Sequence, residues 1–541
     1  MRRSLLLASL LLALPASAKP PRLTLFVSVD ALGTDVLLRN RPKLTGALAQ
    51  LLDAGAVFPD TRYLTAEART APGHSTLATG AHPWRHGIVD NEVGDRATGK
   101  ALAVFADGRH PILEVPLDPT EDSCPEALQA ETLADRLRTA TQERGKAVAL
   151  SYKARAALPL AGRLGQAYWF SDVAGKFVTS TWYTKAVPEW LSAFNARKLP
   201  DAAFGKTWEL ALPPIAYVGE DDRPFEGTPV GMGRTFPHAL TGGLSAPGKD
   251  YYEAFRTSGF SHDLLVQAAK AAIAGEKLGQ DEVPDLLSVS FSGTDYVFHA
   301  YGPYSWEMQD SLVRLDRALT ELIAAAERAA GGRQNLLVVL SADHGGAAAP
   351  EEWAAAGLPA KRLDPHVIEG ELRKELQTRF GAGEYVVRIE QADVYLGGKA
   401  LSGRTDGIAV RRAVAAWLAR QPYAITAVAR DDLFNIPDVG GYVMPMRRGY
   451  YPDRSGDVIW VPRPFIVVDE ETFGANHGTP HGYDTQVPFL LMGRGVKPGY
   501  YPQQIAAVDI APTVAALMEL GAPASAEGRA REEAFALPRP R

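Results

Sequence analysis

The chain has 541 residues, with 46% hydrophobic residues, 22% charged residues and a formal net charge of −6. This composition is typical of a large globular protein and excludes a mainly disordered chain. The acidic balance argues against a nucleic-acid-binding protein and against a protein that binds anionic lipid surfaces. A single cysteine, Cys124, cannot form an internal disulfide, and a chain of this length can be stable without one.

Residues 1–18 have the pattern of a secretory signal peptide. Two arginines precede the apolar run 5–14, and the small residues 16–18 (ASA) form a cleavage site. The apolar run is shorter than the ~20 residues that a transmembrane helix needs. The sequence therefore predicts a periplasmic or secreted protein with no membrane anchor after cleavage, and a single domain over residues 19–541.

Apolar runs alternate with helical patterns along the mature chain. In chain order, the predicted elements are a buried strand ending at Asp30, a helix over 44–52, a loop at Thr70 with a helix from Ser75, a helix over 131–145, a strand from Ala147, a helix over 260–278, a strand from Pro284, a helix over 307–330, a strand from Asn335, a helix over 408–420, a strand over 487–492, a helix over 508–520 and a fraying tail beyond Ala522. This alternation predicts an α/β fold with a doubly wound, mostly parallel sheet and helices on both faces.

Two stretches differ in texture from the rest. Residues 156–255 contain clustered aromatic residues and many prolines and glycines, and residues 350–475 contain a helix of their own and a Gly/Pro/Tyr-rich part. We expect both to be inserted cap regions, which cover a site and do not build the central sheet.

Charged and ligand-forming side chains follow four of the predicted strands. They are Asp30, Lys153, Asp295, Asp343 and His344. In open α/β sheets, ligands bind beyond the carboxyl ends of the strands. We therefore expect these side chains to share one rim of the sheet.

Carboxylates and imidazoles at this rim are candidate metal ligands. Asp295 and His299 are spaced i, i+4, so a helical turn would put both on one face. Asp343 and His344 are adjacent, so their side chains are expected to diverge and to serve either one metal or two neighbouring metals.

Further ligands complete this predicted set. Asp30 adds a carboxylate, and either His477 or His481 adds an imidazole. Such a set can form two metal sites with open positions for a substrate. Two metals about 4 Å apart suit in-line displacement at phosphorus.

A hydroxyl and two cations add to this chemistry. In Arg69–His74 the proline and glycine can hold one side chain, that of Thr70, at an unusual angle, as a nucleophile before a helix needs, although an ordinary turn before a helix also fits. Lys153 and Arg155 would point to the same face in extended structure, where they could clasp phosphoryl oxygens. A solvated strand edge is the alternative for this pair.

Jointly, these segments resemble the alkaline phosphatase superfamily, most closely the threonine-nucleophile phosphate monoesterases of the PafA type. The resemblance covers nearly the whole mature chain. The segments that carry it are Asp30 after the first strand, Thr70–His74 (TAPGH), His86–Asn91 (HGIVDN), Ser151–Arg155 (SYKAR), Asp295–His299 (DYVFH), Ser341–Gly346 (SADHGG), His477–Pro480 (HGTP) and Tyr483–Pro488 (YDTQVP).

The resemblance implies an alkaline phosphatase-like catalytic domain and two zinc ions. The implied ligands of one ion are Asp295, His299 and His477. The implied ligands of the other are Asp30, Asp343 and His344, with Thr70 as the fourth. The segment HGTPH offers His481 as the alternative histidine of the first site, and His477 is preferred because it lies where the family has its His-Gly pair.

The resemblance also implies a mechanism. Thr70 would be the nucleophile and would form a phosphothreonine, while Asn91, Lys153 and Arg155 would bind the transferred phosphoryl group. The implied function is a zinc-dependent alkaline phosphatase for small phosphate monoesters, with a monomer favoured. The segment Val89–Glu92 (VDNE) also resembles the phosphodiesterase/nucleotide pyrophosphatase branch, which is the alternative function. A secreted protein that holds zinc or phosphate without turnover is the alternative from another class.

Overall fold

The structure is a computed structural model that describes residues 19–536, except 96, 97, 99, 230, 399–405 and 439. The predicted signal peptide at residues 1–18 lies outside the described residues. None of the described helices is both long and apolar enough to span a bilayer.

Strands and helices alternate along the described chain, as the sequence predicts. The strands are β1 Leu23–Val29, β2 Ala56–Arg62, β3 Glu92–Gly94, β4 Ala101–Ala103, β5 Ala147–Ser151, β6 Gln166–Ser171, β7 Lys176–Val178, β8 Thr207–Trp208, β9 His238–Ala239, β10 Asp285–Phe291, β11 Leu336–Ser341, β12 Lys361–Leu363, β13 Val386–Glu390, β14 Asp393–Leu396, β15 Ala424–Ala429, β16 Val458–Pro462, β17 Ile466–Val468, β18 Gln486–Gly493, β19 Gly499–Tyr500 and β20 Ile505–Ala506. The α-helices are α1 Thr34–Asn40, α2 Ala47–Ala54, α3 Thr70–Thr79, α4 Pro83–His86, α5 Leu133–Ala140, α6 Ala154–Ala161, α7 Glu189–Asn195, α8 Lys249–Arg256, α9 Phe260–Gly275, α10 Gly293–Tyr301, α11 Trp306–Ala329, α12 Pro350–Ala355, α13 Pro365–Phe380, α14 Gly407–Ala419, α15 Val443–Gly449, α16 Gly482–Thr485 and α17 Ile510–Leu517.

A large central sheet organises the molecule, with its strands in the order β19-β2-β18-β11-β1-β10-β5-β6-β7 and β20 beside β2. Strand β1 lies in the middle and pairs in parallel with β10 and β11. Strand β18 runs antiparallel to both β11 and β2. Every residue of β1 is buried, because helices cover both faces of the sheet.

The two faces of the sheet contribute to two separate hydrophobic cores. Leu25 and Val27 point into the core that contains Leu315 of α11. Phe26 points into the opposite core, with Leu77 of α3 and Val514 of α17. The predicted α/β fold, a doubly wound and mostly parallel sheet with helices on both faces, is confirmed.

The interpretation of residues 156–255 as a cap is wrong for their first part. Helix α6 covers the central sheet, and β6 and β7 extend that sheet at its edge. Trp169 and Phe170 of β6 are buried because successive strand residues enter opposite cores. Their aromatic character reflects this packing.

Residues 350–475 build a second, smaller sheet of four strands in the order β13-β14-β16-β15. Helices α13 and α14 pack on it around the buried Trp460. The predicted fraying beyond Ala522 is wrong for the described part of this tail. Arg531 forms a buried ion pair with Asp509, and Phe535 forms a β-bridge with Val496.

We predict that Leu25→Ala lowers the free energy of unfolding by about 2–5 kcal/mol, because it leaves a cavity beneath the central strand. The control Leu117→Ala removes the same atoms from a side chain that is 65% exposed, and should change stability by less than about 0.5 kcal/mol. Chemical denaturation of the wild-type protein and of both variants measures their free energies of unfolding. Equal losses in both variants would contradict the central placement of β1.

Candidate active site

Thr70 is the first residue of helix α3, and its side chain is buried. The predicted loop at this position, with a helix only from Ser75, is therefore wrong. Pro72 is tolerated because it lies in the first helical turn, where a backbone N–H has no partner within the helix. The hydroxyl of Thr70 thus lies at the partly positive N-terminus of a ten-residue helix.

Gly73 allows α3 to approach the segment that follows β11. A Cβ atom at Gly73 would lie 2.3 Å from the backbone oxygen of Asp343, so a larger residue would push the two apart. The Asp343 carboxylate is fixed by backbone N–H groups, since Ala31 and His344 both donate to its Oδ1 at 3.2 and 3.0 Å. The close packing holds Asp343 near the start of α3.

The ammonium group of Lys153 lies among the predicted ligands. Its Nζ is 3.2 Å from Asp30 Oδ2, 2.5 Å from Asp295 Oδ2 and 3.4 Å from Thr70 Oγ1. Burial opposes ionisation of both carboxyl groups, but the charge of Lys153 and the neighbouring histidines together outweigh it and hold their pKa values below the usual range. The same carboxylates raise the pKa of Lys153 against the effect of its burial. Lys153 therefore remains a cation beside Thr70.

Arg155 is near enough to Lys153 for its charge to oppose the rise in the pKa of that ammonium, but the two residues are not arranged as predicted. Strand β5 ends at Ser151 and helix α6 begins at Ala154, so the same-face argument for an extended chain is wrong. Burial raises the pKa of Asp122 to about 6, and the nearby Arg155 charge opposes that rise. Within the described residues, the buried Nε of Arg155 makes no hydrogen bond.

The three histidines that the resemblance implies as ligands share one hydrogen-bond pattern. The Nδ1 atoms lie next to backbone carbonyl oxygens: His299 is 3.0 Å from Ala475 O, His344 is 2.8 Å from Gly345 O, and His477 is 2.7 Å from Ala68 O. A carbonyl oxygen only accepts hydrogen bonds, so each Nδ1 carries the proton. Each Nε2 then offers its lone pair, which is the usual arrangement of metal-binding histidines.

Asp295, His299 and His477 form what we name the first ligand group. The Oδ1 atom of Asp295 lies 3.4 Å from His299 Nε2 and 3.8 Å from His477 Nε2, close enough for one cation to contact all three. The predicted shared face of Asp295 and His299 is confirmed, since both lie on α10. His481 is not part of this group. Its Nε2 is hydrogen-bonded to Pro462 O at 2.9 Å and so does not offer a lone pair.

Asp30, Asp343 and His344 are the ligands that the resemblance implies for the other ion, and we name them the second ligand group. The predicted divergence of Asp343 and His344 is wrong, since His344 Nε2 lies 3.3 Å from Asp343 Oδ2. Both residues lie beyond the end of β11, so the alternation of side chains along a strand does not apply to them. The His344 ring stacks on His477 at 3.6 Å between centroids, which brings the two groups together.

His74 is a residue of this site that the sequence analysis left without a role. Its ring lies between Asp30 and Asp343, at 3.4 and 3.3 Å. Burial lowers the pKa of His74, but these carboxylates outweigh the effect and raise it to about 10. Both ring nitrogens are also hydrogen-bonded, to Thr70 O and to Ser290 Oγ, each at 2.9 Å. The i, i+4 spacing of His74 from Thr70 is the sequence signal that could have placed His74 in this site.

Several buried ligand atoms suit cations. Among the described residues, the atoms without a hydrogen-bond partner include Asp30 Oδ2, Asp295 Oδ1, Asp343 Oδ2 and His344 Nε2. A buried acceptor without a partner is costly, and a bound cation removes that cost. The first ligand group therefore fits a divalent metal ion. Beside it, the ligand atoms that lie within 4.8 Å of one another are those of Asp30, His74 and Asp343. Both ring nitrogens of His74 are hydrogen-bonded, whereas His344 Nε2 lies 3.3 Å from Asp343 Oδ2 and makes no hydrogen bond within the described residues, which favours His344 as the imidazole ligand.

Asn91 approaches the start of α3 from the loop before β3. Its Oδ1 accepts a hydrogen bond from the backbone N–H of Ala71 at 2.8 Å. The NH₂ group is then the end of this amide that can donate to a substrate. A cavity of about 690 Å³ opens beside the site, and its lining includes Arg69, Tyr296 and His299.

Comparison with known proteins identifies the family of this chain. The family described as type I phosphodiesterase / nucleotide pyrophosphatase matches residues 24–484. The chain belongs to this family, within the alkaline phosphatase superfamily. It is 31% identical to alkaline phosphatase PafA of Elizabethkingia meningoseptica, over 97% of this chain and 96% of that protein.

Two further matches support the same family. Alkaline phosphatase PhoV of Synechococcus elongatus is 30% identical, over 95% of this chain and 93% of that protein. The crystal structure of wild-type PafA superimposes with a TM-score of 0.90 and 31% identity, over 96% of this chain and 100% of that chain. These similarities support a phosphatase of the alkaline phosphatase superfamily.

We predict that His477→Gln lowers the divalent metal content of the purified protein by one ion per chain, because the first ligand group loses an imidazole. The matched control is His481→Gln, which removes a neighbouring imidazole hydrogen-bonded to a carbonyl oxygen and should leave the content unchanged. Elemental analysis of both variants measures the difference. Loss of metal in His481→Gln alone would contradict the first ligand group.

Proposed function

We propose that the protein is a secreted, zinc-dependent alkaline phosphatase that hydrolyses phosphate monoesters through a phosphothreonine on Thr70. The observation that supports this most strongly is the placement of the Thr70 hydroxyl. It lies at a helix N-terminus and 3.4 Å from Lys153 Nζ, and that ammonium contacts one carboxylate of each ligand group. The relatives named alkaline phosphatase PafA and PhoV agree with this function.

The first ligand group would hold one zinc ion, and the second would hold the other, with Thr70 Oγ1 as its fourth ligand. Zinc accepts carboxylate and imidazole ligands together, and three protein ligands with an open position are typical of its catalytic sites. When bound, the two ions would supply Lewis acidity and positive charge for in-line displacement at phosphorus.

The residues of the chain would act in two steps. In the first, the Thr70 hydroxyl gives up its proton to solvent and Oγ1 attacks phosphorus, the bond from phosphorus to the leaving oxygen breaks, and the leaving oxygen takes up a proton to depart as the alcohol. The ammonium of Lys153 stabilises negative charge on the Thr70 oxygen, and the helix N-terminus adds to this effect. In the second step, water hydrolyses the phosphothreonine, which releases phosphate and restores the hydroxyl.

Asn91, Lys153 and Arg155 would bind the oxygens of the transferred group. The Oδ1 of Asn91 accepts from Ala71 N–H, which leaves its NH₂ as the donor end of the amide, and the two cations offer charge-assisted hydrogen bonds. A monoester dianion has one more charged oxygen than a diester, so a pair of cations favours the monoester. Burial raises the pKa of Tyr296, whose ring centroid lies 5.2 Å from Lys153 Nζ.

The location and partners belong to the same proposal. Residues 1–18 would direct export, after which the mature chain would carry no membrane anchor. The full chain has a formal net charge of −6, and the loss of two arginines with residues 1–18 would make the mature chain more acidic. Its substrates would therefore be small phosphate esters and not nucleic acids. The working form would be a monomer.

We predict that the enzyme hydrolyses an aryl phosphate monoester with a higher kcat/KM than the matching diester. Arg155→Ala should lower kcat/KM for the monoester by about 10- to 150-fold, the value of one charge-assisted hydrogen bond, and should affect the diester much less. Steady-state kinetics on both substrates test this. A large preference for the diester, or equal losses in the variant, would contradict monoesterase function.

We predict that Thr70→Ala lowers kcat by at least about 10³-fold while the metal content stays at the wild-type value. The matched control is Ser75→Ala, which removes a buried hydroxyl from the same helix and should retain activity. Turnover and elemental analysis of the same preparations measure both effects. Wild-type turnover in Thr70→Ala would exclude Thr70 as the nucleophile and leave Ser75 as the next hydroxyl to test.

A further inference from the structure

Arg69, the residue immediately before the proposed nucleophile, has a mostly buried side chain that contacts two distant segments. Its Nε donates to Asp90 Oδ1 at 3.0 Å, and its Nη2 lies 3.4 Å from Glu390 Oε1. Asp90 belongs to the loop that carries Asn91, and Glu390 ends strand β13 of the four-stranded sheet. One guanidinium therefore connects the start of α3 with that loop and with the second sheet.

The contact with Asp90 leads directly to Asn91. The same Asp90 Oδ1 that accepts from Arg69 also accepts from the backbone N–H of Asn91, at 2.6 Å. The Asn91 side chain in turn accepts from the backbone N–H of Ala71 at 2.8 Å. These three hydrogen bonds link Arg69 to Ala71 through Asp90 and Asn91. Together with the backbone of residues 69–71 they form a closed ring that contains Thr70.

Arg69 also packs against the segment that follows a proposed metal ligand. A Cβ atom placed on Gly478 would lie 3.3 Å from Arg69 Cδ, so the glycine makes room for the guanidinium stem. The preceding residue, His477, is hydrogen-bonded through Nδ1 to the carbonyl oxygen of Ala68, which precedes Arg69. The backbone and side chain of 68–69 therefore touch both the first ligand group and the phosphoryl-binding loop.

We propose that Arg69 is a positioning residue that holds the Asn91 amide against the start of α3. Glu390 of the four-stranded sheet fixes the Arg69 guanidinium in this position. The inference rests on the proposed role of Asn91 in binding the phosphoryl group. Arg69 acts through Asp90, because its Nε and Nη2 donate to Asp90 and Glu390 and not to a substrate. A displacement of about 1 Å at a binding group can cost about 10²-fold in rate, so loss of these hydrogen bonds should slow turnover.

The experiment is a double-mutant cycle of Arg69→Gln and Asn91→Ala in the full-length protein. The measured quantities are kcat/KM for an aryl phosphate monoester and the inhibition constant of inorganic phosphate. Arg69→Gln should lower kcat/KM by about 10- to 100-fold in the wild-type background and weaken inhibition by phosphate. In the Asn91→Ala background it should lower kcat/KM by less than about 3-fold, because no amide remains to be positioned.

Arg411→Gln is the matched control. Arg411 is also mostly buried, lies in the part of the chain that builds the second sheet, and donates Nε and Nη2 to Asp431 at 2.5 and 2.8 Å. Its loss should lower the melting temperature without changing kcat/KM or the inhibition constant. Glu390→Gln is the second variant of the cycle, and keeps the hydrogen bond of Arg69 to Asp90. It should show a smaller loss that also disappears in the Asn91→Ala background.

The outcomes separate this inference from the proposed function. Equal losses from Arg69→Gln with and without Asn91 would overturn the positioning role, as would a loss of activity in Arg411→Gln of the same size. If Arg69→Gln does not fold, the cycle with Glu390→Gln decides in the same way. An Asn91→Ala variant with wild-type kinetics would overturn the proposed role of Asn91 and this inference together.

Discussion

The site depends on the balance of charge around three buried carboxylates, those of Asp30, Asp295 and Asp343. Each follows a different strand of the central sheet, and burying them without cations would be costly. Lys153 compensates the first two, and the His74 ring bridges the first and the third. Within the described residues, one oxygen atom of each of the three carboxylates makes no hydrogen bond, and these atoms are candidate ligands for divalent cations.

The topology of the sheet explains why these acids meet. Strand β1 is flanked in parallel by β10 and β11, so the three strands end at one rim, and Asp30, Asp295 and Asp343 all follow those ends. Helix α3 brings Thr70 to the same rim, and Gly73 makes this close approach possible. The second sheet contributes from outside through Glu390, so the start of α3 contacts the central fold, the Asn91 loop and the four-stranded sheet.

The parts that the sequence predicted well are those that depend on simple periodicity. Buried parallel strands are continuous apolar runs, and residues after them share a rim, so the placement of Asp30 and the pair Asp295 and His299 could be predicted. The predictions are wrong where the backbone changes within a motif from strand to helix or to irregular structure. Arg155 lies in a helix, not in a strand, and the paired approach of Asp343 and His344 depends on the irregular backbone after β11. Contacts between distant segments, such as that of Arg69 with Glu390, carry no local pattern and could not be predicted.

The most direct test of two cations within this charge balance is anomalous diffraction at the zinc absorption edge from crystals of the zinc-loaded protein. Two metals that share an in-line displacement lie about 4 Å apart. We predict two anomalous peaks at that separation, one in contact with the first ligand group and one with the second. A single peak held by Asp30, His74 and Asp343, or no peak at either group, would contradict the account.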